Sequence, residues 1–158
     1  MITEKEALER YRIQEANKKV VRRLFEEMIT QRKLAVAEEI FAADFIWPQF
    51  GLKGPAGARA WVENFLAAFP DVDDSVVEQI ADGDMVATRV RVRGTNRGPW
   101  YGLPPTNRTA DFQAVGIDRL REGKIVERMA IFHVAGALQQ LGHETLDLQK
   151  LAGPFGKR

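Results

Sequence analysis

The sequence predicts a single-domain α+β protein in which helices pack on one face of a bent antiparallel sheet. Three observations lead to this fold class. Apolar residues recur at helical spacing as far as Phe69. From Ser75 onward they alternate with polar residues at strand spacing. The chain has 158 residues, of which 45% are hydrophobic and 28% are charged, and this composition suits one domain with a packed core.

The first part of the chain predicts two helices followed by an extended segment. Thr3-x-x-Glu6 has the spacing of a capping box, and an apolar stripe then runs from Leu8 to Met28. A second, short helix is predicted from Leu34 to Phe41. The next segment, ADFIWPQFG, is expected to be an edge strand or an irregular entry into one, because Pro48 cannot donate a hydrogen bond to a neighbouring strand.

The clearest predicted helix begins at Gly54-Pro55 and ends before Pro70. Its apolar stripe consists of Ala58, Trp61, Val62, Phe65, Leu66 and Phe69. Because this stripe contains one tryptophan and two phenylalanines, we expect it to supply a large share of the core.

Four antiparallel strands are predicted in the second half, over residues 75–80, 85–95, 109–120 and 125–134. Tight turns containing Gly83 and Gly123 join the first and second pairs. The middle connection, NRGPWYGLPPTNR, is rich in glycine and proline. A short helix, AGALQQLG, follows the last strand and ends at Gly142.

Both ends of the single domain are expected to lie outside its compact body. Residues 1–16 are rich in charge and predict a helical extension. Residues 143–158 are weakly patterned and fit a docked arm, a lid or a frayed tail.

Composition narrows the possible functions. The chain has no cysteine, which excludes disulfides and thiolate chemistry and favours a cytoplasmic location. A net charge of +1 predicts no nucleic-acid partner, and the short apolar runs predict no membrane span. His133 and His143 do not form a metal-binding motif, so no metal is expected.

Several strings resemble the SnoaL-like polyketide cyclase family, which shares the nuclear transport factor 2-like cone with ketosteroid isomerase. The resemblance runs from about Asn17 to Gly142 and rests on NKKVVRRLFEEM, GPAGARAWVENFLAAFPD, GIDRLREGKIVER and GALQQLG. It implies a curved antiparallel sheet wrapped around the N-terminal helices, as a cone-shaped α+β barrel. It also implies a pocket for a flat apolar carbonyl compound, closure of a ring by intramolecular aldol-type proton transfer without a cofactor, and a homodimer formed through the outer sheet face.

The resemblance places His133 where the family carries its acid/base aspartate. The preceding Glu-His-Trp string of the family reads Glu127-Arg128-Met129 in this sequence. His133 falls on the same face of its strand as the apolar Met129. We therefore expect the imidazole to point into the pocket, next to a row of apolar side chains. The alternative is a histidine that is hydrogen-bonded at a strand end and has no chemical role.

Other candidate site residues also have either a functional or a purely structural interpretation. Asp118 is either a second catalytic group or the ion-pair partner of Arg89 or Arg91 on a neighbouring strand, and the ion pair is favoured. Arg91 either binds substrate or lies on a solvated or dimer-facing surface, and the surface is favoured. The side chains expected to form the pocket wall are Trp47, Trp61, Phe65, Trp100, Tyr101 and Met129.

The sequence therefore favours a cofactor-independent acid/base enzyme that acts on a small apolar molecule. Two alternatives remain open. One is a protein of the same fold that binds such a molecule without turning it over, and the other is an isomerase or epoxide hydrolase on that fold.

Overall fold

A computed structural model of the chain describes residues 1–143. The predicted C-terminal tail therefore lies outside the described residues, except for His143. Four α-helices are described: α1 (Glu4–Arg23), α2 (Ala37–Ile40), α3 (Gly54–Ala68) and α4 (Val134–Gln140). The six strands are β1 (Phe41–Trp47), β2 (Leu52–Lys53), β3 (Asp73–Asp82), β4 (Met85–Thr95), β5 (Thr109–Arg121) and β6 (Lys124–Phe132).

The N-terminal helix begins with the predicted capping box. The Thr3 hydroxyl accepts a hydrogen bond from the Glu6 backbone N–H at 3.2 Å, and the Thr3 N–H donates to the Glu6 carboxylate at 2.7 Å. Residues 1–13 are exposed. After α1 the chain continues as a π-helix, Leu24–Thr30, which buries Leu24, Phe25, Met28 and Ile29. The sequence did not predict this change of helix type.

The second predicted helix is shorter in the structure than expected. A 3₁₀ turn, Leu34–Val36, leads into the four residues of α2, and Phe41 already belongs to β1. Pro48 follows β1 in a 3₁₀ turn, Pro48–Phe50, outside any strand ladder. Helix α3 has the predicted bounds and buries most of its predicted apolar stripe.

The strands form one curved six-stranded sheet in the order β2-β1-β6-β5-β4-β3. Strands β3 to β6 form the predicted antiparallel meander. Strand β1 pairs with β6 in parallel, and the two-residue β2 covers the outer edge of β1. Strands β2 and β3 are the edges of the described sheet, which curves without closing into a barrel.

The two faces of the sheet differ in burial. The inner face packs on the helices through side chains that include Val86, Val90, Phe112 and Ala130. The outer face exposes Ile80 and Ile131, which are 69% and 63% accessible. Met129 lies on this outer face and is 40% accessible, so its predicted place in the pocket wall is wrong. Arg128, Ala130 and Phe132 form the inward row of β6 instead.

The loop between β4 and β5 is held against α3. The buried Asn96 side chain donates to the Gly98 carbonyl at 2.7 Å and accepts from the Thr106 N–H at 3.0 Å. Gly98 is required there, because an added Cβ would lie 2.2 Å from the Ala67 carbonyl oxygen. This anchoring buries Trp100 over the aromatic end of the core.

Candidate active site

A small cavity lies between the inner face of the sheet and the helices. Its walls are mostly apolar and come from the π-helix, β1, α3 and strands β3 to β6. The polar side chains that line it belong to Asp74 and Arg128, together with the indole of Trp61. The cavity volume is about 20 Å³, which is enough for about one water molecule.

Aromatic side chains fill most of the expected pocket. Sites for drug-sized ligands usually have volumes of about 300–1,000 Å³. The Trp61 ring stacks against Phe65 and Phe132, with centroid distances of 5.2 and 5.6 Å. Among the described residues, the inner face of the sheet therefore lacks the open hollow expected for a flat polycyclic ligand. A ligand of that size needs some of these rings to move.

Asp118 and Arg128 form a buried ion pair on adjacent strands. The Arg128 Nη1 donates to the two Asp118 carboxylate oxygens at 2.7 and 2.6 Å. The prediction that an arginine of a neighbouring strand pairs with Asp118 is confirmed, but the partner is Arg128 rather than Arg89 or Arg91. Burial raises the pKa of Asp118, and the positive charge of Arg128 opposes this rise.

The guanidinium of Arg128 is held on several sides. Its Cζ lies 5.2 Å from the ring centroid of Phe25 and 5.2 Å from that of Trp47. Gly116 lies beneath it on β5, where an added Cβ would come within 2.5 Å of Nη2. Gly116 therefore leaves the space that this cation occupies between the sheet and the aromatic rings.

Asp74 is a functional candidate that the sequence reasoning missed. It is 5% accessible, and burial raises its pKa from 3.8 to about 7. The negative charge of Asp73 adds to this rise, while Arg128 and Arg32 oppose it. The signal available in the sequence was the spacing Val72-x-Asp74-x-Val76, which places a carboxyl on the same strand face as two valines.

Unsatisfied polar atoms converge on this cavity. Within residues 1–143, three buried side-chain nitrogen or oxygen atoms lack a hydrogen-bond partner: Trp61 Nε1, Asp74 Oδ1 and Arg128 Nε. All three residues line the same cavity. Such atoms are rare because leaving one unpaired costs about 1–3 kcal/mol. Their convergence makes this cavity the candidate site among the described residues.

The predicted aromatic wall is found around two adjoining spaces. Trp47, Trp61 and Phe65 line the cavity. Trp100 and Tyr101 line a second recess of about 10 Å³, together with Trp61, Phe65 and Phe132. The stacked rings of Trp61, Phe65 and Phe132 therefore form a partition between the cavity and the recess.

Two other predicted site residues lie away from the cavity. Arg91 is on the outer face of the sheet, where its Nε donates to Asp111 at 2.8 Å, in agreement with the favoured surface interpretation. His133 is exposed at the start of α4, and its backbone N–H donates to the Gln113 carbonyl at 3.1 Å. Its ring packs over Gly136 and does not line the cavity. The expected opening of the imidazole into the cavity is not found, and its chemical role stays a prediction.

Two kinds of feature are missing from the part of the chain that the structure describes. No cluster of three or more histidine, aspartate or glutamate side chains in residues 1–143 has the arrangement of a metal site. Over the same residues, no helix has both the length and the apolar character needed to span a bilayer.

Comparison with known proteins identifies the family. The sequence pattern of the SnoaL-like polyketide cyclases matches residues 19–141. The chain belongs to this family. Its membership supports a cyclase-type or related function. A search of curated proteins finds no match.

Solved structures share the fold. IdmH from Streptomyces antibioticus, a candidate polyketide cyclase, is 28% identical with a TM-score of 0.69, and the match covers 80% of this chain and 98% of IdmH. TsrD from Streptomyces laurentii is 16% identical with a TM-score of 0.76, covering 81% and 96%. A SnoaL-like polyketide cyclase from Agrobacterium tumefaciens is 15% identical with a TM-score of 0.70, covering 80% and 98%.

Proposed function

We propose that this member of the SnoaL-like family is a cofactor-independent acid/base enzyme. It removes a proton from carbon next to a carbonyl of a small apolar molecule, in a cyclase-type reaction. The enolate carbon then attacks a second carbonyl of the same molecule to close the ring, and the proton is delivered to the oxygen of that second carbonyl. The observation that carries the proposal is the convergence of one buried carboxyl and two unpaired donors on a single apolar cavity.

Asp74 is the proposed acid/base group. Its pKa of about 7 lets the carboxylate take a proton near neutral pH and then return it. An ordinary solvated aspartate has a pKa of about 3.9 and is a much weaker base. Burial in the apolar cavity is the physical cause of this change in strength.

Arg128 and Trp61 are the proposed donors to the oxygen that becomes negative when the proton is removed. Arg128 Nε and Trp61 Nε1 are fixed by packing and lack protein partners among the described residues. A donor that is already oriented in a water-poor site stabilises a developing oxyanion without reorganisation at the moment of reaction. Asp118 contacts the guanidinium rather than the cavity, so it acts as a positioning residue.

Entry of a ligand is proposed to occur through the aromatic partition. The Trp61, Phe65 and Phe132 rings separate the cavity from the recess below Trp100 and Tyr101. Rotation of the Phe65 and Phe132 rings toward the recess enlarges the cavity, while Trp61 stays in place and offers a flat surface on which an unsaturated ligand can stack.

A direct test measures proton removal itself and does not require the product to be identified. Apolar ketones, including polycyclic ones, are incubated with the protein in D₂O, and deuterium incorporation next to the carbonyl is followed by NMR. The expected result is incorporation with the parent and loss with Asp74→Asn. Asp82→Asn is the matched control, because Asp82 lies at the far, exposed end of the same strand.

The same experiment separates the alternatives. Binding shown by tryptophan fluorescence, with no deuterium incorporation for any bound ketone, favours a non-catalytic binding protein. The positive charge of Arg128 acts on two buried carboxyls, Asp74 and Asp118, and this observation favours isomerase or epoxide-hydrolase chemistry as a second candidate. Epoxides are therefore included among the compounds, with diol formation as the readout.

The protein is also proposed to be a homodimer that uses the outer face of the sheet. Ile80, Val115 and Ile131 are exposed on that face and support the proposal. Light scattering that detects only a monomer at micromolar concentration would overturn it.

A further inference from the structure

A second space, on the protein surface, adjoins Asp74. It is a groove of about 380 Å³ between the π-helix and the start of β3. Its lining consists of Glu26, Thr30, Gln31, Asp73, Asp74, Ser75 and Val76. Among the described residues, Asp74 is the one that lines both this groove and the interior cavity.

We propose that this groove is the route by which Asp74 exchanges its proton with solvent, separate from the entrance used by the ligand. The proposal rests on the acid/base function assigned to Asp74 above. It gives the groove residues a role in replacing the Asp74 proton with one from solvent, rather than in binding the ligand.

The interior side of Asp74 offers poor access to solvent. The cavity holds about one water molecule, and its remaining walls are almost entirely apolar. Its other charged residue, Arg128, offers only N–H donors and no acceptor for a proton. The aromatic partition closes the end toward Trp100 and Tyr101.

The groove side is polar and open to water. Glu26 lies in the groove and is paired with Arg22 at 2.8 Å, and Asp73, Ser75 and Gln31 add further polar groups. Water held between such side chains can carry a proton from the surface to a carboxyl at the bottom of the groove.

Thr30 holds Asp74 at this boundary. The Asp74 backbone N–H donates to Thr30 Oγ1 at 3.0 Å, which ties the start of β3 to the end of the π-helix. The charged groups that act on Asp74 come from both sides: Asp73 and Arg32 near the groove, and Arg128 within the cavity. Asp74 therefore stands between the surface groove and the closed cavity.

The absence of cysteine allows a specific test. Gln31→Cys places one thiol in the groove, and a bulky thiol reagent attached there blocks it. Gln139→Cys, on the exposed side of α4, is the matched control. Protonated Asp74 is detected by its infrared carbonyl band, which is identified as the band that is lost in Asp74→Asn. The measured quantity is the rate at which this band shifts after the protein is mixed with D₂O at pH 6.

Labelling at position 31 is expected to slow the exchange by about tenfold or more, because exchange then requires local opening of the domain. The unlabelled Gln31→Cys protein and the labelled Gln139→Cys protein should keep the parent rate. Equal rates in the labelled and unlabelled Gln31→Cys proteins would overturn the route. Absence of a protonated Asp74 band at every pH from 5 to 8 would overturn it as well.

The outcome is independent of the test of the proposed function. If labelling slows the exchange but Asp74→Asn does not change ligand deuteration, the groove is the exchange route and Asp74 is not the acid/base group. If labelling leaves the exchange rate unchanged but Asp74→Asn abolishes ligand deuteration, Asp74 is the acid/base group and the groove is not the exchange route.

Discussion

Replacing Asp74 with asparagine should stabilise the protein, and the gain should depend on pH. The folded-state pKa of Asp74 is about 7, compared with 3.8 for an unperturbed aspartate. Because the folded state holds the proton more tightly than the unfolded state, Asp74 carries no penalty below about pH 4. The penalty grows as the pH rises from about 4 to about 7, and above that range it is constant.

The magnitude follows from the two pKa values. At about 1.4 kcal/mol for each factor of ten in proton affinity, the difference corresponds to about 4 kcal/mol. An asparagine side chain has nearly the same shape as aspartate but never ionises. The free energy of unfolding of Asp74→Asn should therefore exceed that of the parent by about 4 kcal/mol at pH 8 and match it near pH 4.

Urea unfolding between pH 4 and pH 8 measures this difference. Asp82→Asn, at the other end of β3, removes an exposed carboxylate and should follow the parent closely at every pH. If Asp74→Asn tracks the parent with a constant offset, or is less stable at pH 8, then burial does not raise the pKa of Asp74 and the reasoning fails.

Further substitutions test the surrounding site. Asp118→Asn leaves Arg128 buried without its counter-charge and should lower the free energy of unfolding by about 3–5 kcal/mol. The double variant Asp118→Leu with Arg128→Met removes both charges and should lose less stability than Asp118→Asn. Gly116→Ala forces the Arg128 guanidinium away from β5, and we expect urea unfolding to show a free energy of unfolding lower by about 1–3 kcal/mol. The contact of the guanidinium with Trp47 should weaken, which is seen as altered tryptophan fluorescence. His133→Ala should leave ligand deuteration unchanged, because the imidazole lies outside the cavity; a clear loss of deuteration would restore His133 as the acid/base group.

Local signals explain why most elements could be predicted. The capping box at Thr3, the proline at the start of α3 and the glycine turns at Gly83 and Gly123 act within a few residues. Each of these signals sets the local backbone geometry wherever the segment lies in the fold.

Features that depend on distant partners could not be predicted in the same way. The parallel pairing of β1 with β6 joins segments far apart in the sequence, and β2 has only two residues. The π-helix at Leu24–Thr30 has an apolar pattern close to that of an α-helix. The burial of Asp74 depends on the contact of β3 with this π-helix. Strand spacing puts Asp74 on the face of the neighbouring valines, but it could not show that this end of the face is covered.

The sequence by itself determined the order of the main helices and strands, the α+β class and the family, because these follow from local periodicity and from strings of neighbouring residues. Only the tertiary structure decided which face of each strand meets the helices. On β6 the apolar Met129 favoured one face, yet Arg128 is the residue inside. Asp118 lies opposite Arg128 in the strand register and supplies the charge that allows the guanidinium to be buried.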